Sequence, residues 1–253
     1  MRMLVIASWL GVAALASAED LTIVSNVTRN GEAAGTQTSY LAADHIRMAQ
    51  AEGSEFMLDG KTGVMTLIDT KKKEYSVVTE ADLTAMAATM QAKQGQLQEQ
   101  MKSMPPALRD KIANLGGAAT VAKTGATRKI AGYSCDTWMM AIGEIVKTES
   151  CLSSDVAVPA QVWTRYRAFA EQMQVAMRAA GPMAKSFTDL QEKMKGMQGF
   201  PLAQTTTATF LGKTQTTTTE VTEVRKGAIP ASAFEIPAGF KQVDSPFAKL
   251  AKK

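Results

Sequence analysis

The sequence is poor in the residues that most enzymes use for chemistry. It has one histidine, His45, and two cysteines among 253 residues. His45 follows Asp44 in a predicted strand, where neighbouring side chains point to opposite faces, so the pair does not indicate acid–base catalysis. A Gly-rich phosphate loop, a serine nucleophile motif and metal-ligand spacing are all missing. These absences predict a protein that is not an enzyme and has no cofactor.

Long hydrophobic runs are also missing beyond the N-terminus. Residues 1–18 combine Arg2, an apolar run and a small-residue site ending at Ala18, a pattern typical of an export signal. The apolar run is shorter than the roughly 20 residues that span a bilayer. Because the residue directly after Ala18 is not a cysteine, we expect a soluble periplasmic or secreted product, beginning at Glu19, rather than a lipid-anchored one.

Charge is modest and dispersed. The chain has 28 basic and 24 acidic residues, and the one basic run, Lys71–Lys73, is predicted to be a solvated turn between strands. Without a basic stripe interleaved with aromatic residues, the sequence does not indicate nucleic-acid binding. A hydrophobic content of 45% suits one globular domain over 19–253.

The two cysteines lie in a predicted hairpin with Gly143 midway between them. Strands that fold back symmetrically about Gly143 would place Cys135 opposite Cys151, at a separation that suits a disulfide. A two-residue turn beginning at Gly143 would instead place Cys135 opposite Leu152, so a bulge or a longer loop would be needed. An even cysteine pair in an exported chain predicts a disulfide.

Before and after two helical stretches, the sequence reads as short strands. Six strands are predicted between Leu21 and Thr79, with hairpin chemistry at Asn30-Gly31. Another is predicted at Thr120 to Arg128, before the cysteine hairpin. A Thr-rich hairpin about Gly212 follows, because β-branched residues favour strands.

Two helical insertions interrupt these strands, at about 80–115 and at about 158–198. The first has a candidate cap at Thr79 and a break at Pro105-Pro106, and the second starts near Pro159. Apolar residues recur in both at three-, four- and seven-residue intervals. The order of elements predicts an α+β fold in which helices cover one face of a curved antiparallel sheet.

Two short segments resemble a known family. Ile130–Cys135 (IAGYSC) and Phe234–Phe240 (FEIPAGF) are similar to signature segments of a bacterial exported family, domain of unknown function 4412. That family resembles the periplasmic lipoprotein carriers, whose half-open β-barrel holds acyl chains beneath a helical lid. The resemblance therefore implies a half-open barrel and a carrier function, and it carries over no catalytic residue.

Methionine is unusually frequent in both insertions. Fourteen of the sixteen methionines follow the signal segment, and nine of these lie in the insertions. Three interpretations remain open: core packing, an adaptable apolar groove for lipid, and a soft Cu(I) site built from thioethers.

Two hypotheses of function follow. The first is a carrier that holds an apolar ligand, a lipid or acyl chain, between the sheet and the Met-rich helices. From helical periodicity and strand parity, the expected wall residues are Met86, Met90, Met101, Trp138, Met140, Trp163, Phe169, Met173 and Met177. The alternative is a structural or interaction protein that docks on an envelope protein partner without a small ligand. Cu(I) binding is the less favoured third reading.

Overall fold

The computed structural model describes residues 19–105, 117–162, 164, 182–210 and 212–251. Within them, twelve strands form one sheet in the order β12-β6-β5-β4-β3-β2-β1-β11-β10-β9-β8-β7. The strands are β1 (Leu21–Arg29), β2 (Glu32–Leu41), β3 (His45–Ala49), β4 (Ser54–Asp59), β5 (Met65–Asp69), β6 (Glu74–Val78), β7 (Ala119–Ile130), β8 (Tyr133–Ile142), β9 (Val146–Ser153), β10 (Phe200–Phe210), β11 (Lys213–Lys226) and β12 (Lys241–Gln242). The helices are α1 (Glu80–Ser103), α2 (Pro182–Met194) and α3 (Pro246–Ala251), and a short 3-10 helix spans Ala231–Phe234.

Strands β1 to β6 form the predicted antiparallel meander, each pairing with the next along the chain. The turn between β1 and β2 shows why the sequence could predict this meander. Arg29 pairs with Glu32 across Asn30 and Gly31, whose φ angles are 51° and 85°. Two successive positive φ angles are what a tight hairpin turn requires, and Asn-Gly adopts them most readily.

Helix α1 begins at the predicted cap. The backbone N–H of Thr79 donates to the carboxylate of Asp82 at 2.9 Å, and the Thr79 hydroxyl accepts from the Asp82 N–H at 3.3 Å. This reciprocal pair satisfies donors that the first turn leaves without helical partners. The helix ends at Ser103, just before Pro105, as the proline pair predicts.

Several predicted segments lie outside the described residues. They are the signal peptide (1–18), the end of the first insertion (106–115) and the middle of the second insertion (163 and 165–181). Helical backbone is present at the start of that insertion, directly after Pro159, and again in α2. Among the described residues, the helices are either too short or too polar to cross a bilayer.

The disulfide between Cys135 and Cys151 is formed, with the two Cα atoms 5.3 Å apart. This confirms the predicted bond. Both predicted registers are wrong, however, because Cys151 lies opposite Thr137 and the bond runs diagonally to Cys135, just beyond the end of the β8–β9 ladder.

The turn explains the difference in register. Ile142 pairs with Val146, so a three-residue loop beginning at Gly143 joins β8 to β9. This loop is centred one residue after Gly143. Each residue of β8 therefore pairs with a residue of β9 that lies two positions later than it would if the strands folded back symmetrically about Gly143. The longer loop that the sequence left open is therefore the one that forms.

The part of the sheet formed by β7 to β11 is strongly curved. Arg128 on β7 forms an ion pair with Glu220 on β11 at 2.6 Å, although β8, β9 and β10 lie between these strands. In a flat sheet, four strand spacings would separate them by about 19 Å. The end of β7 therefore bends across its neighbours towards β11, and the sheet is curved and open.

The last long strand joins the two halves. β11 forms the predicted Thr-rich hairpin with β10, in which Phe210 pairs with Lys213, and it then pairs with β1 from Leu21 to Arg29. Residues from opposite ends of the chain thus form the centre of the sheet.

The C-terminal segment after β11 crosses the meander, a path that no pattern in the sequence indicated. We call residues 227–245 the C-terminal strap. The Phe234 ring lies 5.1 Å from the His45 ring and 6.5 Å from the Tyr40 ring, measured between centroids. The second signature segment, which begins at Phe234, therefore packs on β2 and β3, and His45 has a structural contact there.

Arg47 fixes the strap in place. Its guanidinium pairs with Glu55 and donates to the carbonyl oxygens of Ala233 at 2.7 Å and Glu235 at 3.2 Å. The Arg47 and Glu55 side chains are only 11% and 13% exposed, so the pair is largely desolvated. Beyond it, β12 pairs with β6 and forms that edge of the sheet, and α3 packs against α1.

Replacing both Cys135 and Cys151 by alanine is expected to lower the free energy of unfolding by about 3 kcal/mol, because the bond closes a loop of 16 residues. Urea denaturation of the two proteins measures the difference. Reductant should lower the stability of the wild type to that of the variant and leave the variant unchanged. Equal midpoints without reductant would contradict this expectation.

Arg47→Met is expected to lower the free energy of unfolding by about 3–5 kcal/mol, because it leaves a desolvated Glu55 carboxylate without its partner. Arg29→Met is the matched control, since the ion pair of Arg29 with Glu52 is 41% and 48% exposed. Its loss should cost less than about 1 kcal/mol. Thermal or urea denaturation distinguishes the two, and similar losses would argue against the anchoring role of Arg47.

Candidate functional site

A cavity of about 370 Å³ lies against the centre of the sheet. Its floor is formed by β1, β2, β3, β10 and β11, the strands on either side of the β1–β11 junction. The apolar part of the floor consists of Ile23, Leu41, Ile46, Met48, Leu202 and Val221. Most of these side chains belong to the main hydrophobic core, so the cavity is an opening within that core.

The chain segment that follows β9 lies over the apolar part of the floor. Val158 and Val162 line the cavity from this segment, and Val162 also contacts the group around Ile46 and Leu58. The Val162 N–H donates to the Pro159 carbonyl at 2.9 Å, which starts the helical backbone there. The second insertion therefore begins as a wall of the cavity.

The other end of the floor is polar. Ser25 on β1 lies opposite Gln37 on β2, and Thr219 on β11 lies opposite Gln204 on β10. All four side chains line the cavity. Gln204 is exposed, whereas Ser25 is buried, so the polar end includes the mouth of the cavity.

The cavity has no charged wall within the described part of the chain, since its lining residues are all uncharged. The groups with shifted pKa values lie in or next to turns between strands instead. A hydrogen bond from Arg29 lowers the pKa of Glu52, and a hydrogen bond from the Lys72 backbone N–H lowers that of Asp69. The described lining of the cavity therefore contains no titratable side chain.

The described members of the predicted wall lie elsewhere on the sheet. Met86 packs with Met65, Val78 and Leu83 beneath α1. Trp138 and Met140 lie on β8, two strands beyond the cavity floor; Met140 is buried and Trp138 half-buried. These three residues do not form one site with each other in the described structure.

For the remaining members the wall stays a prediction. Met90 and Met101 lie on α1, but the placement of their side chains is outside what the structure describes. Also outside the described residues are Trp163, Phe169, Met173 and Met177.

The floor residues were not predicted, although part of their signal is local. The alternation of Leu21 and Ile23 along β1 predicts an apolar face, and Ser25 continues that face with a polar side chain. A small polar residue at a core position is the feature that marks a pocket. A local pattern does not reveal which strand pairs with β1, because its partner β11 lies almost 200 residues away in the sequence.

Comparisons place the chain in a family. Residues 22–240 match the family described as Domain of unknown function (DUF4412), so the chain belongs to it. No curated protein matches the sequence. The chain is similar to the solved structure of the Pseudomonas aeruginosa MucA/MucB complex, with 13% identity and a TM-score of 0.40 over 88% of this chain and 56% of that one.

Two other solved structures resemble the chain to a similar degree. The crystal structure of MucB has 11% identity and a TM-score of 0.40, covering 88% of this chain and 58% of that one. MucB in complex with MucA(peri) has 14% identity and a TM-score of 0.37, covering 87% and 54%. The chain therefore spans little more than half the length of these proteins, and the similarity supports no inference about function.

Met86→Ala is expected to lower the free energy of unfolding by about 2–5 kcal/mol, because it leaves a cavity beneath α1. Met139→Ala is the matched control, since Met139 is 36% exposed, and its change should stay within about 0.5 kcal/mol. Urea denaturation measures both. A loss at Met86 as small as that at Met139 would show that Met86 does not pack as core.

Proposed function

We propose that this protein is an exported carrier that holds an apolar ligand in the cavity at the centre of its sheet. The observation that carries the proposal is the cavity itself, about 370 Å³ with an apolar floor. Small-molecule sites typically have volumes of about 300–1,000 Å³ and predominantly apolar linings. The class of ligand that suits such a lining is a lipid or an acyl chain.

Export is supported by the sequence and by the disulfide. The pattern of residues 1–18 is that of a signal peptide, and the Cys135–Cys151 bond suits an oxidising compartment such as the periplasm. The proposal therefore places the protein where envelope lipids are within reach.

The proposed architecture is a half-open barrel with helices covering one face. Helix α1 packs on the meander side of the sheet and α2 packs against β7 and β8, so helices flank both sides of the central strands. The start of the second insertion, at Val158 and Val162, already lies over the cavity. In the proposal, the second insertion covers the ligand.

The proposed role is binding without catalysis. The described part of the lining is uncharged, which supports this reading, because the general acids and bases that most enzymes use need titratable side chains near the reacting atoms. An envelope protein partner and a thioether Cu(I) site stay predictions from the sequence, since no contact in the described structure favours either of them.

The experiment is to purify the protein from its own periplasm without detergent and to identify bound molecules by native mass spectrometry and lipid extraction. An apolar molecule is expected at a stoichiometry near one. Ser39→Phe should remove it, because Ser39 lines the cavity and a phenyl ring would fill the space.

Thr38→Phe is the matched control. Thr38 is the neighbour of Ser39 on β2 and points to the opposite face of the sheet, so this variant should keep the ligand. Circular dichroism confirms that both variants fold. A wild-type protein without any apolar molecule, which also fails to bind a hydrophobic fluorescent probe, would overturn the proposed function.

A further inference from the structure

Two polar cross-strand pairs lie on the cavity floor, offset from each other by two residues along the strands because Ser25 lies opposite Val221. Gln37, Ser25, Thr219 and Gln204 come in turn from β2, β1, β11 and β10, which are neighbours in the sheet. The pairs Gln37–Ser25 and Thr219–Gln204 lie directly opposite in register. Side chains paired in this way lie on the same face of a sheet. We call these four residues the polar row.

The polar side chains on the cavity floor have unused hydrogen-bonding capacity. Ser25 and Ser39 are 5% and 8% exposed. Within the described part of the chain, neither hydroxyl bonds to another residue, and the same holds for the side chains of Gln37, Gln204 and Thr219. Among the described residues, none of these groups is both fully buried and without a partner, so their polar atoms reach the open space of the cavity and can bond to water or to a ligand. The polar row can therefore form hydrogen bonds with polar atoms of a ligand held in the cavity.

The charge of that ligand is limited by the lining. A carboxylate, phosphate or ammonium group in the cavity would lose water without gaining an opposite charge from the described lining residues, which are all uncharged. A neutral group avoids this penalty and can still bond to hydroxyls and amides. The row presents both donors and acceptors, as an ester, an amide or an alcohol requires.

The apolar end adds the second requirement. Leu41 and Ile46 form the floor there, with Val158 and Val162 also lining that end. These side chains suit a hydrocarbon chain and offer nothing to a polar group. A ligand that fills the cavity would therefore need an apolar part at one end and a polar group at the other.

Resting on the proposed carrier function, we propose that the ligand is a neutral amphiphile. Its single hydrocarbon chain lies beneath Val158 and Val162, and an ester, amide or hydroxyl group lies against the polar row near the mouth. The inference adds a chemical class to the function, because it separates neutral acyl esters and alcohols from ionised fatty acids and from plain hydrocarbons.

The test is displacement of the neutral fluorescent probe N-phenyl-1-naphthylamine from the full-length mature protein by ligands of equal chain length. The set is monododecanoylglycerol, dodecanol, dodecanoate at about pH 8 and dodecane. The ester and the alcohol should displace the probe at concentrations about tenfold lower than dodecanoate and dodecane, the gain expected from one or two hydrogen bonds.

Variants of the polar row separate this inference from the proposed function. Ser25→Ala combined with Gln37→Leu should reduce the preference for monododecanoylglycerol over dodecane to about twofold or less, because it removes two of the hydrogen-bonding partners. Gln204→Leu, at an exposed position, provides a second variant if the first does not fold. Thr38→Val, on the opposite face of β2, should keep the full preference.

Each outcome has a distinct meaning. If no member of the set displaces the probe and the probe itself does not bind, the proposed carrier function fails. If dodecanoate or dodecane binds as tightly as the ester, or if the polar-row variants keep the wild-type preference, the neutral-amphiphile inference fails while the carrier function stands.

Discussion

The pairing of β1 with β11 is the constraint on which the rest of the structure depends. It joins the six-stranded meander to the disulfide-bonded strands, and it does so between segments that lie almost 200 residues apart. Long-range pairing of this kind gains its contacts only after a large loop-closure cost. The Cys135–Cys151 bond holds one half in shape on its own and so reduces the number of arrangements from which the pairing must form, and the strap fixed by Arg47 adds a second contact between distant segments.

The cavity is a direct consequence of this junction. Its floor consists of the two junction strands and their neighbours, where irregular pairing at Val24–Ser25 and at Pro201–Ala203 disturbs the regular ladder. Bulges increase twist and bend a sheet. A sheet that bends at its centre leaves a space that flat, packed layers would fill. The side chains around this space include apolar ones, which favour burial away from water.

Much of the fold could be predicted because its signals are local. Asn30-Gly31 marks a hairpin, Thr79 with Asp82 marks a helix start, and alternating apolar residues mark strands. The register at the disulfide could not be predicted, since it depends on whether the loop at Gly143 contains one, two or three residues, and a glycine suits each of them. The site was predicted from the methionine pattern. The cavity instead depends on Ser25 and similar residues, whose role appears only when distant strands pair.

The central claim is that the space over the β1–β11 junction holds a molecule other than the protein itself. The most direct measurement is a high-resolution crystal structure of protein purified from the periplasm without detergent. The account predicts continuous elongated density beginning among Leu41, Ile46 and Val162 and ending beside Ser25 and Gln37. A cavity filled by the protein's own side chains, with the Ser25 and Ser39 hydroxyls bonded to them, would contradict it.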